Sequence, residues 1–146
     1  MAELPARSRV GRSDIRAVAD THAVIWYLFD DRRLSSPARA VFEEAAADGD
    51  AVVVTTLTIV EIVYLVERGR IPPSALQRLL GEILPGWAVL IVYPLDHEIA
   101  LTVADVDRNA VPDLPDRIIA ATALHLGVPL VTRDERVRVS GVPTIW

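Results

Sequence analysis

Hydrophobic residues in this chain form short continuous runs that alternate with longer segments in which they recur at helical spacing. The short runs, rich in Val, Ile, Leu and Ala, are predicted strands at residues 15–19, 51–55, 87–93, 128–132 and 142–146. The longer segments are predicted helices at residues 22–29, 37–47, 59–68, 74–83, 97–106 and 116–126, with Ser36 as the N-cap of the second. Nearly continuous apolar strands separated by helices indicate a parallel sheet covered on both faces. The predicted fold is therefore an α/β protein, a three-layer α/β/α sandwich with a central parallel sheet.

The length of 146 residues corresponds to a single domain, and 51% hydrophobic residues are enough to bury a sizeable core. Residues 1–14 lack hydrophobic periodicity and are predicted to be a flexible N-terminal extension, whereas residues 15–146 are predicted to form the domain. The longest uncharged runs are shorter than the roughly 20 apolar residues that a membrane span needs, and no signal-peptide pattern is present. We therefore expect a soluble, cytoplasmic protein.

Cysteine is absent, which excludes disulfides, thiolate nucleophiles and zinc sites built from cysteine. The net charge of −5 does not indicate nucleic-acid binding in the way that a strongly basic domain does. All fifteen basic residues are nevertheless arginines. Arginine binds phosphate in bidentate fashion, although the codon usage of a GC-rich genome explains this bias equally well.

Four acidic residues stand where a predicted strand ends or the following helix begins: Asp20, Glu61, Asp116 and Asp134. In a parallel α/β sheet the carboxyl ends of the strands and the first turns of the next helices share one edge, where ligands bind. Four carboxylates brought together at this edge repel each other and require a cation. The pattern therefore predicts a site for a hard metal ion.

The position of each of these acids also has a purely structural explanation, without metal binding or catalysis. Asp20 can cap the helix that follows it, and Glu61 can complete a capping box with Thr58. The helix dipole favours Asp116 in a first turn, and Asp134 suits a turn after a strand. The helix around Glu61 is apolar on nearly all sides, however, so we expect this carboxylate to be partly buried and in need of a partner.

Four motifs occur in a fixed order and together carry a resemblance: Val18-Ala-Asp-Thr-His-Ala-Val-Ile-Trp-Tyr-Leu28, Thr55-x-x-Thr58-x-x-Glu61-Ile, Asp113-Leu-Pro-Asp-Arg-Ile-Ile-Ala-Ala-Thr-Ala-Leu124 and Val131-Thr-Arg-Asp-Glu135. This set resembles the PIN-domain nucleases, specifically the VapC toxins of type II toxin–antitoxin systems. The similarity runs from about residue 15 to residue 146. The family's four-acid pattern falls on the same four acids that the edge of the sheet selects.

The resemblance implies a Mg²⁺- or Mn²⁺-dependent endoribonuclease that cleaves cellular RNA, inhibits growth and is silenced by a VapB-like antitoxin. It also implies a homodimer. Because Mg²⁺ usually takes only one or two carboxylates directly, we expect Asp20 and Asp116 to be the most direct ligands. Asp134 completes the site directly or through water, and Glu61 orients or deprotonates the attacking water.

Arg117 and Arg133 adjoin two of these acids and are the predicted RNA-phosphate contacts, with salt bridges to nearby acids as the alternative. His22 stands two residues after Asp20, where an aspartyl-phosphate phosphatase has a second Asp, so that class is disfavoured. Two alternatives remain open. One is a PIN-domain nuclease of RNA maturation, and the other is a non-catalytic α/β binding module whose acids only cap helices.

Overall fold

The computed structural model describes residues 14–146, and the predicted extension falls outside these residues except for Asp14. Within this range the chain forms a sheet of five parallel strands: β1 (Ile15–Ala19), β2 (Ala51–Thr55), β3 (Leu90–Tyr93), β4 (Leu130–Val131) and β5 (Thr144–Ile145). The helices of the described chain are α1 (Thr21–Leu28), α2 (Ser36–Asp48), α3 (Thr56–Glu67), α4 (Ser74–Ile83), α5 (His97–Thr102), α6 (Leu114–Leu126) and α7 (Glu135–Val139). A 3-10 turn follows α5.

The strand order is β3-β2-β1-β4-β5. The chain first builds outward from β1 to β3, then returns to the other side of β1, where β4 pairs with it through Ala19 and Val131. The connections that leave β1 and β4 therefore diverge, and a crevice opens beyond the carboxyl ends of these two strands. In open α/β sheets this is the position at which ligands bind.

Successive residues of the central strands face opposite sides of the sheet, as strand geometry requires. On one side, Val52 and Val54 of β2 pack in a core cluster that includes Phe42 of α2 and Leu79 of α4. On the other side, Val53 packs in a second cluster supplied largely by α5 and α6. These two cores confirm the predicted three-layer α/β/α sandwich.

Four predicted helix starts are wrong: α1, α2 and α6 begin one or two residues earlier than predicted, at residues 21, 36 and 114, and α3 begins three residues earlier. The N-cap of α2 is Ser35 rather than Ser36, because the Ser35 hydroxyl accepts the backbone N–H of Ala38 at 3.2 Å. Helix α3 begins at residue 56 rather than 59, because the Thr55 hydroxyl accepts the N–H of Thr58 at 3.1 Å. Thr58 thus lies inside the first turn, and the predicted capping box between Thr58 and Glu61 does not form.

The other departures concern short elements. Strand β3 begins at Leu90, so Trp87 lies outside it, and the Trp87 side chain is 75% exposed. Helix α7 was not predicted, because five residues are too few to show a helical repeat. Within residues 14–146 the structure contains no helix long and apolar enough to cross a membrane.

Candidate functional site

A cavity of about 910 Å³ opens at the carboxyl edge of the sheet and is lined by all four predicted acids, Asp20, Glu61, Asp116 and Asp134. Four different segments contribute them: the ends of β1 and β4, the middle of α3 and the first turn of α6. The four acids predicted at the edge of the sheet therefore lie in one pocket. Asp113 also lines this pocket. It occupies the N-cap position of α6 without making a side-chain capping bond.

Asp20 lies directly after β1, where its backbone N–H bonds to the carbonyl of Val131 at 3.1 Å. Its carboxylate accepts the N–H of Ala23 at 2.9 Å and so caps α1, as one of the two explanations expected. The same carboxylate faces the pocket. Burial raises the pKa of Asp20, and the negative charge of Asp134 raises it further, against hydrogen bonds from Thr132 and Ala23 that lower it.

Asp116 occupies the first turn of α6 and is half-buried. Burial is the largest cause that raises the pKa of Asp116 to about 6, followed by the negative charges of Asp113, Asp134 and Glu61. Arg136 opposes this shift. Asp116 is thus influenced electrostatically by acids from several elements. Helix capping alone does not produce this arrangement.

Asp134 is the N-cap of α7, and its carboxylate accepts the N–H of Arg136 at 2.9 Å. The Arg136 guanidinium pairs with Asp134 at 3.3 Å and lies 3.8 Å from Asp116. The Thr132 hydroxyl accepts the backbone N–H of Asp134 at 3.0 Å. Thr132 also lowers the pKa of Asp20, so this residue after β4 lies close to both acids.

Glu61 is partly buried, as expected, and accepts a short hydrogen bond from the Thr21 hydroxyl. The Thr21 hydroxyl lies 3.0 Å from that of Thr58, which in turn accepts from the Thr55 hydroxyl at 3.3 Å. The three threonines are buried. Sequence reasoning assigned none of them to the site, although Thr55 and Thr58 belong to the quoted Thr-x-x-Thr-x-x-Glu motif.

The two predicted RNA-contacting arginines have different positions. Arg133 lines the pocket and stacks over the Trp26 ring, with its guanidinium carbon 4.7 Å from the ring centroid. Arg117 is not among the pocket-lining residues, and its Nη2 donates to the carbonyls of Val103 at 2.8 Å and Val106 at 3.1 Å. The structure therefore brings Arg133, but not Arg117, to the acids.

Arg33, which the sequence did not single out, also lines the pocket. It stacks over Trp26 at 5.1 Å and forms a salt bridge with Asp31 at 2.8 Å. The indole of Trp26 thus has contacts with two guanidinium groups at the pocket wall. Arg33 comes from the loop between α1 and α2, and a loop position carries no periodic pattern that predicts its direction.

The donor chemistry of the pocket suits a hard divalent cation. The acidic wall offers carboxylate and hydroxyl oxygens, which are the ligands of Mg²⁺ and Mn²⁺. Among residues 14–146, no group of three or more His, Asp or Glu side chains is arranged to hold a metal ion. Mg²⁺ keeps several waters and uses only one or two carboxylates directly, so an ion bound at this pocket would depend on water ligands as well as carboxylates.

In a comparison with protein families, the PIN domain model matches residues 17–141 of this chain. Among individual proteins, the chain is similar to ribonuclease VapC22 of Mycobacterium tuberculosis, with 29% identity over 135 residues. That alignment covers 87% of this chain and 95% of the relative. The PIN domain match therefore spans all four acidic positions, and the alignment with the ribonuclease covers nearly its whole length.

Solved structures give the same fold. VapBC2 of Rickettsia felis, bound to a DNA fragment from its promoter, matches with a TM-score of 0.65 and 12% identity over 89% of this chain and 96% of that one. A toxin–antitoxin complex from Klebsiella pneumoniae matches with a TM-score of 0.61 and 23% identity over the same shares. At these identities the similarity concerns the fold alone.

Proposed function

The chain belongs to the PIN-domain family, and from this premise we propose that it is a Mg²⁺- or Mn²⁺-dependent endoribonuclease, the toxin of a VapBC-like toxin–antitoxin system. In this role it cleaves cellular RNA and so inhibits translation and growth. The observation that carries the proposal is the convergence of Asp20, Glu61, Asp116 and Asp134 on one pocket. The similarity to a ribonuclease of nearly the same extent supports it.

We assign Asp20 and Asp116 as the carboxylates that hold the metal, with Asp134 bound directly or through water. The raised pKa values of Asp20 and Asp116 support this assignment, because burial and neighbouring acids make the ionised forms costly without a cation. A divalent ion held by these carboxylates would supply Lewis-acid stabilisation of the charge on the scissile phosphate and would offset the repulsion between the acidic pocket and a polyanionic substrate.

Glu61 is assigned the role of orienting or deprotonating the attacking water. Its carboxylate is the only one of the four that comes from the middle of a helix rather than from a helix cap or first turn. Helix capping accounts for contacts of Asp20 and Asp134, and the helix dipole favours Asp116 in its first turn, but neither explains the position of Glu61. This difference favours a nuclease over a non-catalytic module.

Arg133 is assigned a role in binding RNA phosphate. Its guanidinium carbon lies 4.7 Å from the centroid of the Trp26 ring at the pocket wall, and within residues 14–146 it forms no ion pair with a carboxylate. A stacked guanidinium keeps its N–H donors available at the edge for phosphate oxygens. Arg117 is not assigned this role, since its Nη2 group already donates to two backbone carbonyls.

The proposed protein partner is a cognate VapB-like antitoxin that lies across the pocket. The pocket lining also includes Val60 and Tyr64 of α3, whose side chains are 62% and 52% exposed. Apolar exposure beside a charged cleft is typical of a protein interface. The Klebsiella pneumoniae structure is a complex of a toxin with its antitoxin, which supports the same type of partner here. We further propose a homodimer, for which light scattering on the purified chain is the direct measurement.

The proposal is tested by inducing the chain alone in bacteria and by incubating the purified protein with single-stranded RNA. We expect induction to slow growth, and EDTA to stop cleavage until Mg²⁺ or Mn²⁺ is restored. Asp116→Asn should remove both effects. Asp107→Asn is the matched control, because Asp107 is an exposed carboxylate outside the pocket.

Three results would count against the account. Cleavage that persists in EDTA excludes the metal mechanism. Equal growth inhibition by the wild type and by Asp116→Asn excludes nuclease action as the cause. RNA cleavage without any effect on growth favours the alternative of a PIN-domain nuclease of RNA maturation.

A further inference from the structure

We propose that Thr55, Thr58 and Thr21 form a one-way chain of hydroxyl hydrogen bonds that holds the Glu61 carboxylate in its working position. Thr58 lies in the middle of this chain, between Thr55 and Thr21. It is a positioning residue, because its hydroxyl affects Glu61 through the hydroxyl of Thr21. The observations are the three hydroxyl contacts that end at Glu61. The inference deepens the proposed nuclease function and rests on it for its activity measurement.

The direction of the chain follows from the number of hydrogens available. A threonine hydroxyl has one proton to donate, and an ionised carboxylate can only accept. Thr21 donates its proton to Glu61. The contact of 3.0 Å between Thr21 and Thr58 must then use the proton of Thr58. Because Thr58 has then used its single proton, its oxygen can only accept a hydrogen bond from its other neighbour, Thr55.

Thr55 supplies that last proton, since its hydroxyl donates to Thr58 at 3.3 Å. The Thr55 oxygen in turn accepts the backbone N–H of Thr58 at 3.1 Å, which is the cap of α3. Every proton in the series thus points toward Glu61. The chain begins at the helix cap and ends at the carboxylate.

Burial makes the chain costly to break. Thr58 is 0% exposed, Thr55 is 2% exposed and Thr21 is 6% exposed. A buried hydroxyl that loses its partner keeps the cost of its desolvation, because water does not replace the bond. The three hydroxyls therefore depend on each other and on the acceptor at the end.

The location explains why Glu61 needs such support. Thr21 begins α1, one residue beyond the N-cap Asp20, and Thr58 lies in the first turn of α3, which follows the neighbouring strand β2. The hydroxyl pair thus joins two strand-to-helix junctions. Glu61 is one turn further along α3 than Thr58, and among residues 14–146 Thr21 supplies its side-chain hydrogen bond. Without that bond the flexible Glu61 side chain has several rotamers available.

The test compares Thr58→Val with Thr122→Val, both of which replace a buried threonine hydroxyl by a methyl group. Thr122 is 2% exposed, and in the described part of the chain its hydroxyl bonds to the carbonyl of Ile118 in its own helix. For Thr58→Val we expect kcat to fall by about tenfold, the factor that corresponds to one lost hydrogen bond in a charged network, with KM unchanged. Thr58→Ser keeps the hydroxyl and should restore most of the rate. Thr122→Val should keep the wild-type kcat.

A double variant separates positioning from general destabilisation. In a Glu61→Gln background, Thr58→Val should change the residual rate by less than about twofold, because the residue through which it acts is already disabled. A full tenfold loss on top of Glu61→Gln would overturn the proposal. Equal losses for Thr58→Val and Thr122→Val would overturn it as well.

A measurement without RNA or metal keeps this inference distinct from the nuclease proposal. In crystal structures of Thr58→Val and of Thr21→Val we expect α3 to keep its backbone position while Glu61 occupies more than one rotamer. In Thr122→Val, Glu61 should stay as in the wild type. A single unchanged Glu61 rotamer in both test variants would refute the chain, even if the wild type cleaves RNA. Failure of the wild type to cleave RNA would instead refute the nuclease proposal.

Discussion

The Arg136 guanidinium lies 3.8 Å from the Asp116 carboxylate, yet it does not neutralise the acidic pocket. Arg136 is held more closely by Asp134, at 3.3 Å, and its side chain is largely exposed to solvent. The pKa of Asp116 is raised to about 6 in spite of this neighbour, first by burial and then by the surrounding acids. The excess of negative charge is the physical reason for expecting a divalent cation.

Replacement of Asp116 by Asn should stabilise the metal-free protein. Because ionised Asp116 is disfavoured in the folded state, its removal should raise the free energy of unfolding at pH 7.5 by about 1 kcal/mol, after allowance for solvent screening of a half-buried group. Chemical denaturation in EDTA measures this difference. The matched variant Asp107→Asn should show no gain, and a loss of stability in Asp116→Asn would contradict the electrostatic account.

The gain should depend on pH in a defined direction. The pKa of Asp116 lies at about 6 in the folded protein and at its ordinary value of 3.8 in the unfolded chain. The folded state therefore binds more protons than the unfolded state in this window, and the stability of the wild type falls as pH rises through it. The advantage of Asp116→Asn should be absent below pH 3.8 and complete above pH 6. A constant advantage at all pH values would assign the effect to packing.

Asp20 caps α1 and is also a proposed metal ligand. Two substitutions at this position distinguish these roles. Asn is as good an N-cap as Asp, so Asp20→Asn should keep the bond from Ala23, remove the buried charge, and abolish RNA cleavage without loss of thermal stability. Asp20→Ala loses the cap as well and should cost about 1 kcal/mol relative to Asp20→Asn. Thermal unfolding in EDTA compares the two. A lower melting temperature for both Asp20→Asn and Asp116→Asn would favour acids that serve only as caps.

The two arginines that flank these acids should differ in their effects. In an Asp116→Asn background, which prevents cleavage, Arg133→Ala should weaken RNA binding and reduce the slope of log affinity against log salt concentration by about 0.7, the value for one phosphate contact on a single strand. Arg117→Ala should leave RNA affinity unchanged and lower the melting temperature, because two backbone carbonyls lose their donor. Fluorescence anisotropy measures RNA affinity and thermal unfolding measures stability in both variants. Weaker RNA binding in Arg117→Ala but not in Arg133→Ala would instead assign the phosphate contact to Arg117.

The sequence predicted the fold and the position of the acids because both follow from regular geometry. Buried parallel strands are apolar along their whole length, and the residues that end them share one edge, so Asp20 and Asp134 could be placed without side-chain detail. Arg117 shows the limit of this reasoning. It follows Asp116 directly, but neighbouring residues on a helix point in directions about 100° apart, and Arg117 turns toward the 3-10 turn instead of the pocket.

The features of the site that were not predicted from the sequence depend on short elements, on local capping bonds or on contacts between distant segments. Arg136 reaches the acids from a five-residue helix that has no detectable repeat. Thr58 matched a capping box by its spacing from Glu61, but the bond that defines the helix start is made by Thr55. The contact of Thr58 with Thr21, 37 residues away, appears only in the folded chain.

The central claim is that four distant acids meet around a shared divalent ion, and Mn²⁺ binding measured by electron paramagnetic resonance tests it most directly. We predict that the wild type binds Mn²⁺, that Mg²⁺ competes for the same site, and that Asp20→Asn and Asp116→Asn each weaken binding by about tenfold or more. Asp107→Asn should bind as the wild type does. Equal Mn²⁺ affinity in all four proteins would contradict the claim.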